Sequence, residues 1–224
     1  MSMQRMTKSA NTNYLKLGLM GFTLCAASAL SVVANAASPT GDRYCLNVDP
    51  IAKVQRSTPN SRFDVDAAND SLITDLQTGL MWDRCSYNLD FDARSGNCVK
   101  APDGLGQGGY LNTGFTWQMA LENVVNAAND ANYKGYSDWR VPNAKELASI
   151  VERSCVNPAI NNTAFPDTLS ASYWTNTPME VVVNGVKRLQ PFSVSFVDGQ
   201  VLPLGADNPG AIRLVREATP APVN

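Results

Sequence analysis

Hydrophobic residues fall into three patterns along this chain. A continuous apolar run fills positions 17–33. Two later segments carry helical spacing. Trp117, Ala120, Leu121, Val124 and Ala128 stand at i, i+3, i+4, i+7 and i+11 behind Thr116 as N-cap. That stripe ends in the Asn-rich run 129–132, before Gly135. A second helix starts at Asn143, with Pro142 just before it and Glu146 three residues on as its capping-box partner; Leu147, Ile150 and Val151 form its buried face.

The remaining apolar residues lie in short runs with the period of strands. Phe63 to Trp82 alternates strand and turn, with strands over 71–75 and 79–82. In the last third, 172–175 is a strand, and 180–183 turns through Asn184-Gly185 into 186–189. Phe192, Val194 and Phe196 alternate with Ser193 and Ser195, Asp198-Gly199 turns that strand into 200–204, and Ile212 and Leu214 belong to a final strand flanked by Arg213 and Arg216. The stretch 86–114, rich in Gly, Asn and Asp, reads as a long loop. Strands, two helices, then strands predict an α+β domain with one core, two helices packing on short antiparallel sheets.

The amino-terminal run changes how the length is read. Arg5, Lys8 and Lys16 precede it and Ala34-Asn35-Ala36 follows it, the layout of a signal peptide over 1–36. The run is shorter than the ~20 residues a membrane span needs, and the bulky Leu24 before Cys25 does not fit a lipid-attachment site. The chain is therefore expected to be exported to the periplasm, the cell surface or the medium, with no membrane span after cleavage. Residues 37–62 read as a lead-in tethered by a disulfide, 63–217 as the domain, and 218–224 as a disordered tail.

Charge and cysteine content narrow the chemistry. The full chain of 224 residues has a formal net charge of -2 and no histidine. Nucleophilic systems built on imidazole, and His-ligated zinc or haem, are excluded. Three of the 18 basic residues and none of the 20 acidic ones lie in the signal, so the exported protein is acidic at -5, with no basic footprint for nucleic acid. Removing Cys25 leaves Cys45, Cys85, Cys98 and Cys155, an even number in an oxidising compartment, with three connectivities open. Cys85 and Cys98 flank a short polar segment suited to a local clip, which pairs Cys45 with Cys155; loop entropy values the two at about 3 and about 4.7 kcal/mol. No C-x-x-C spacing favours a metal instead. Asp64, Asp66, Asp70 and Asp75 fail the EF-hand pattern, because Asn69 occupies the glycine position and Asp75 closes the loop. No cofactor is indicated, although loop oxygens leave calcium open.

An ordered series of motifs carries a resemblance. Thr78-Gly79-Leu80-Met81-Trp82, Thr116-Trp117-Gln118 with Ala120-Leu121, and 135–143 (GYSDWRVPN) running into Lys145-Glu146-Leu147 come first. Asn157-Pro158-Ala159-Ile160-Asn161, Ala164-Phe165-Pro166, Tyr173-Trp174-Thr175 and Arg213-Leu214-Val215-Arg216 follow. Over about residues 63–217 the chain resembles the bacterial Lcl C-terminal domain family, named for a collagen-like surface adhesin. The resemblance implies an exported or surface bacterial domain of C-type-lectin-like or sulfatase-modifying-factor-like architecture, and in the namesake adhesin this domain binds sulfated polysaccharide. This chain lacks the collagen-like stalk and is acidic, so a polyanion would need a local basic patch, with Lys134, Lys145, Arg153, Lys187, Arg188, Arg213 and Arg216 as its sources.

Candidate ligand contacts are Lys187, Arg188, Arg213, Tyr173 and Asn176. Trp82, Trp117, Trp139 and Trp174 are expected to be core aromatics, and Asp138 and Arg140, flanking Trp139, to hold that turn by an ion pair or by capping. The expected function is a secreted or surface binding and adhesion module recognising a glycan or protein partner through its loops, with oligomerisation open. An accessory subunit of a surface assembly such as a pilus is the alternative. An enzyme is the third reading, disfavoured because no spacing singles out a pair among Asp83, Asp90, Asp92, Asp103 and Asp198.

Overall fold

A computed structural model describes residues 44–46, 54–101 and 114–218. The expected signal peptide lies outside these residues, as do most of the lead-in and all of the tail beyond Ala218. Among the described residues, nine strands form three antiparallel sheets. β1 (Phe63–Val65), β2 (Leu72–Asp75), β3 (Leu80–Asp83) and β9 (Val215–Glu217) make a four-stranded sheet in the order β1-β2-β3-β9. β4 (Leu89–Asp92) and β5 (Asn97–Lys100) form a hairpin. β6 (Ser172–Val183), β7 (Val186–Ser195) and β8 (Val201–Pro203) form the third sheet. The class is α+β, mostly β.

The four-stranded sheet is covered on both faces, which is why every residue of β3 is buried. Strand alternation sends Ile73, Leu80, Trp82 and Val215 to one face, where Leu147 and Ile150 meet Tyr173, Val194 and Phe196. Leu72, Met81 and Leu214 go to the other face, against Ala120, Val124 and Ala128. Two core layers share one central sheet.

The first helix has an irregular start. Thr116 Oγ1 accepts from Met119 N at 3.3 Å, as an N-cap does. Residues Met119–Val124 are then wound as π-helix before α1 (Val125–Asp130). The wider turns shift the apolar stripe: Ala120, Val124 and Ala128 are buried, whereas Trp117 and Leu121 are only half-buried. The second helix, α2 (Ala144–Ser149), has the expected capping box, with Asn143 accepting from Glu146 N and Glu146 accepting from Asn143 N. Asn143→Ala is expected to cost about 1 kcal/mol, read as a fall of about 2–4 °C in the melting temperature.

Three sequence expectations change. The supposed loop after Ser86 contains the β4–β5 hairpin, clipped to its neighbour by the Cys85–Cys98 disulfide. The segments 180–183 and 172–175 belong to one strand, because a register shift between Trp174 and Pro178 lets β6 continue through the irregularity. The last strand starts only at Val215; Ile212 and Leu214 precede it and fill the core without ladder pairing of their own. The second disulfide is Cys45–Cys155, as expected. Tyr44, Cys45 and Thr58 are buried, so the described part of the lead-in is packed onto the domain.

Candidate functional site

Beyond Pro178 and Pro191, β6 and β7 continue together as a two-stranded arm to the turn at Asn184-Gly185. Both turn residues have positive φ (52° and 76°), the conformation of a type I′ hairpin. At the base of this arm lies a groove of about 500 Å³ lined by Asn143, Ala144, Lys145, Thr177, Phe192 and Val201. Phe192 shares a strand face with Val194 and Phe196 but is only partly buried, and it lines the groove. Ser193, on the opposite face, is buried and donates to Leu202 O. Thr177 Oγ1 accepts from Ala144 N at 3.0 Å and joins the sheet to the start of α2. An apolar floor beside amide, hydroxyl and ammonium groups is the usual composition of a small-ligand site.

A second concavity, about 450 Å³, is lined by Ser57, Arg62, Gln77, Thr78, Ala148, Ser149, Val151 and Arg153. Its inner cation is already committed. Arg62 makes a forked pair with Asp75 and donates to Ser149 O. Burial would raise the Asp75 pKa, but the hydrogen bonds from Arg62 and Thr78 prevail and hold it below the usual carboxylate range.

The predicted ligand contacts do not converge. Asn176 is exposed immediately before the groove residue Thr177. Lys187 and Arg188 are exposed on the arm, five and four positions along β7 from Phe192, or roughly 15 Å of strand. Lys187 pairs with Glu180 at 2.8 Å. Tyr173 and Arg213 are a correction: both are completely buried. Tyr173 OH lies 2.5 Å from Ser86 Oγ and accepts from Leu169 N. Arg213 donates to Asp83 O, Arg84 O and Thr168 Oγ1, and its guanidinium lies 4.9 Å from the Phe165 ring centre. Burial pushes its pKa down. A side chain so enclosed orders loops and cannot reach an external ligand.

The other candidate cations also thin out. Lys134 is buried between Asp83 (2.8 Å) and Asp90 (3.4 Å), and Arg216 is paired with Asp138 at 2.7 Å. Of the seven basic candidates, Lys145, Arg153, Lys187 and Arg188 are exposed.

The model of the Lcl C-terminal domain family matches residues 71–216, well over half of the chain. The chain belongs to that family. No curated protein matches it. Within the Lcl C-terminal domain, the recurrent motif residues hold the framework. Trp82, Trp139 and Trp174 are buried, and Trp117 is half-buried. Trp139 Nε1 donates to Tyr133 O, Trp174 Nε1 to Phe115 O and Trp117 Nε1 to Thr175 O. Asp138 and Arg140 both form ion pairs, but not with each other. The hydrogen bond from Arg216 holds Asp138 below the ordinary carboxylate range. Arg140 binds Glu146 through both terminal nitrogens and Glu217 through one, joining α2 to β9.

The groove residues Phe192, Asn143 and Thr177 escaped the sequence reading. Phe192 carried an inward-facing signal and Asn143 a capping signal, and both signals were correct locally. Among the described residues, no group of three or more metal-ligating side chains converges, and no helix is long and apolar enough to cross a membrane.

Proposed function

We propose that this Lcl C-terminal domain is an exported bacterial binding module whose ligand, a surface glycan or a protein segment, docks in the groove at the base of the β6–β7 arm. The observation that carries this is the partly buried Phe192 on an apolar floor beside Asn143, Thr177 and Lys145. An aromatic face with amide, hydroxyl and ammonium groups at its margin suits the apolar face and hydroxyls of a sugar, which places a glycan first. Export is supported by the basic, apolar and A-x-A succession over 1–36 and by two disulfides. The same reading takes the framework as C-type-lectin-like or sulfatase-modifying-factor-like and assigns the chain no catalytic step. The accessory-subunit alternative draws its support from the exposed valines of the arm.

A glycan array probed with the purified protein tests the groove. Binding is expected to fall at least about tenfold, or about 1.4 kcal/mol, in Phe192→Ser and in Lys145→Glu. No bound glycan at high protein concentration, or variants that bind like wild type, would overturn the glycan assignment. A partner protein whose capture Phe192→Ser abolishes would retain the groove and replace the ligand.

A further inference from the structure

The arm has open edges on both sides. β8 pairs with β7 only over Phe192–Val194, and Leu204 N donates to Pro191 O before that chain departs. On the other side, Asn176 N donates to Pro142 O, and Thr177 accepts from Ala144 N, below the point where the arm begins. From Pro178 to Val183 and from Val186 to Gln190, no described residue pairs with either outer edge.

Which backbone groups face outward follows from the turn. A two-residue turn makes Val183 and Val186 a hydrogen-bonded pair, and alternation gives Val181–Arg188 and Met179–Gln190 the same character. The intervening residues, Glu180 and Val182 on β6 and Lys187 and Leu189 on β7, therefore turn N–H and C=O away from the ribbon. The bond that Pro191 accepts from Leu204 has the same parity. Val182, Val183, Val186 and Leu189 are 63, 47, 55 and 61% exposed, an unusual density of bare aliphatic side chains on one hairpin.

The two edges differ in charge. β7 carries Lys187 and Arg188, whereas β6 carries only Glu180. Antiparallel pairing of β7 with its copy across the middle of the arm sets Arg188 opposite Arg188 or Lys187 opposite Lys187, which is destabilising. These cations guard that edge. Pairing of β6 with its copy about Val181 sets Glu180 opposite Val182 and Met179 opposite Val183. Each Glu180 then stands diagonal to the copy's Glu180 and already pairs with its own Lys187 at 2.8 Å, so no like charges stand directly opposite across this edge.

We propose that two copies of this chain associate by antiparallel pairing of their β6 edges, centred on Val181, into a four-stranded sheet ordered β7-β6-β6-β7. Opposed arms send the two domains to opposite ends of the sheet. Glu180 and Val182 of each copy exchange about four backbone hydrogen bonds in all. Met179, Val181, Val183 and Val186 of both copies share one face, flanked on β7 by Arg188 and Gln190. The interface is isologous and closes on itself, so assembly stops at the dimer.

Sedimentation equilibrium and light scattering of the purified, disulfide-bonded protein over a wide concentration range test this. The molar mass is expected to double with concentration. Val182→Pro removes one outward N–H and no hydrogen bond of the arm itself, and is expected to remain monomeric. Leu189→Pro makes the same change on the other edge without altering charge and is expected to dimerise like wild type. Circular dichroism and melting temperature establish that each variant is folded. Should Val182→Pro misfold, Val181→Arg decides, because it places like charges at the two-fold centre and is expected to weaken association at least tenfold. A wild-type protein that is monomeric throughout, a folded Val182→Pro that dimerises, or loss of association in folded Leu189→Pro alone would overturn the proposal.

Discussion

Glu152→Ala is expected to destabilise the fold by about 3–5 kcal/mol, because it strands several buried neutral donors at once, each costing about 1–3 kcal/mol before relaxation. For a domain of this size the melting temperature should fall by about 10 °C or more. Glu152 is completely buried. Its carboxylate accepts from Thr58 N (2.8 Å), Thr58 Oγ1 (2.9 Å), Ser57 N (3.2 Å), Ser154 N (2.8 Å), Ser154 Oγ (2.6 Å) and Tyr44 OH. Alanine would strand the Thr58 and Ser154 donors away from water, whereas Tyr44 OH keeps Thr58 O as acceptor. Glu152→Gln keeps the shape but aims an NH2 group at donors, so it should also destabilise. A thermal melt at neutral pH checks both.

The same cluster fixes a pH dependence. Burial alone would raise the Glu152 pKa, but the hydrogen bonds from Ser154, Tyr44 and Thr58 outweigh it and hold the group at about 2, against an ordinary 4.5. A depressed carboxylate pKa contributes stability that is fully present above the unfolded value and lost as pH falls through the folded one. Some 3 kcal/mol should therefore disappear between about pH 4.5 and about pH 2. Denaturant titrations across that window should show the slope in wild type and lose this part of it in Glu152→Gln. An unchanged slope in the variant would refute the assignment.

Removing the Cys45–Cys155 disulfide as the Cys45→Ala/Cys155→Ala pair is expected to cost about 4.7 kcal/mol, because it releases a loop of 110 residues in the unfolded chain. Removing Cys85–Cys98, which spans 13 residues, should cost nearer 3 kcal/mol. The long bridge adjoins Tyr44, whose hydroxyl binds both Glu152 and Thr58 O. Combining Glu152→Ala with loss of that bridge should therefore be non-additive, whereas combining it with loss of the short one should be close to additive. Urea denaturation of the single and combined variants checks both statements.

Local rules were legible in the sequence, and contacts across long separations were not. The capping box at Asn143–Glu146 and the hairpin at Asn184-Gly185 obey rules that act within four residues. The two disulfides could be read because four cysteines leave few alternatives. The β4–β5 hairpin was hidden although Leu89-Asp90-Phe91-Asp92 does alternate, since one alternating tetrad within a polar stretch gives a weak periodic signal. The buried cations were invisible. Arg84 is held by the carbonyls of Asp70, Thr163 and Ala164 and lies 3.9 Å from the Phe91 ring centre. Those carbonyls come from loops up to 80 positions away, so only the assembled fold makes an interior place for a guanidinium. The same reason removed Arg213 and Tyr173 from the surface. At the groove, Phe192 follows the alternation of its strand, and what exposes it is where the core stops, a tertiary fact.

The Cys45–Cys155 bridge also decides how this domain would answer a mechanical pull. Tension applied at Tyr44 and Glu217 passes through the covalent bridge directly to Cys155, leaving residues 46–154 outside the covalent path. With the bridge intact, full extension would pay out only the chain from Cys155 to Glu217, roughly 200 Å, in place of the roughly 600 Å available to the reduced protein. Under shear, the oxidised domain would act as a short tether of fixed maximum length, with residues 46–154 closed into a loop that cannot be drawn out until a sulfur–sulfur bond gives way.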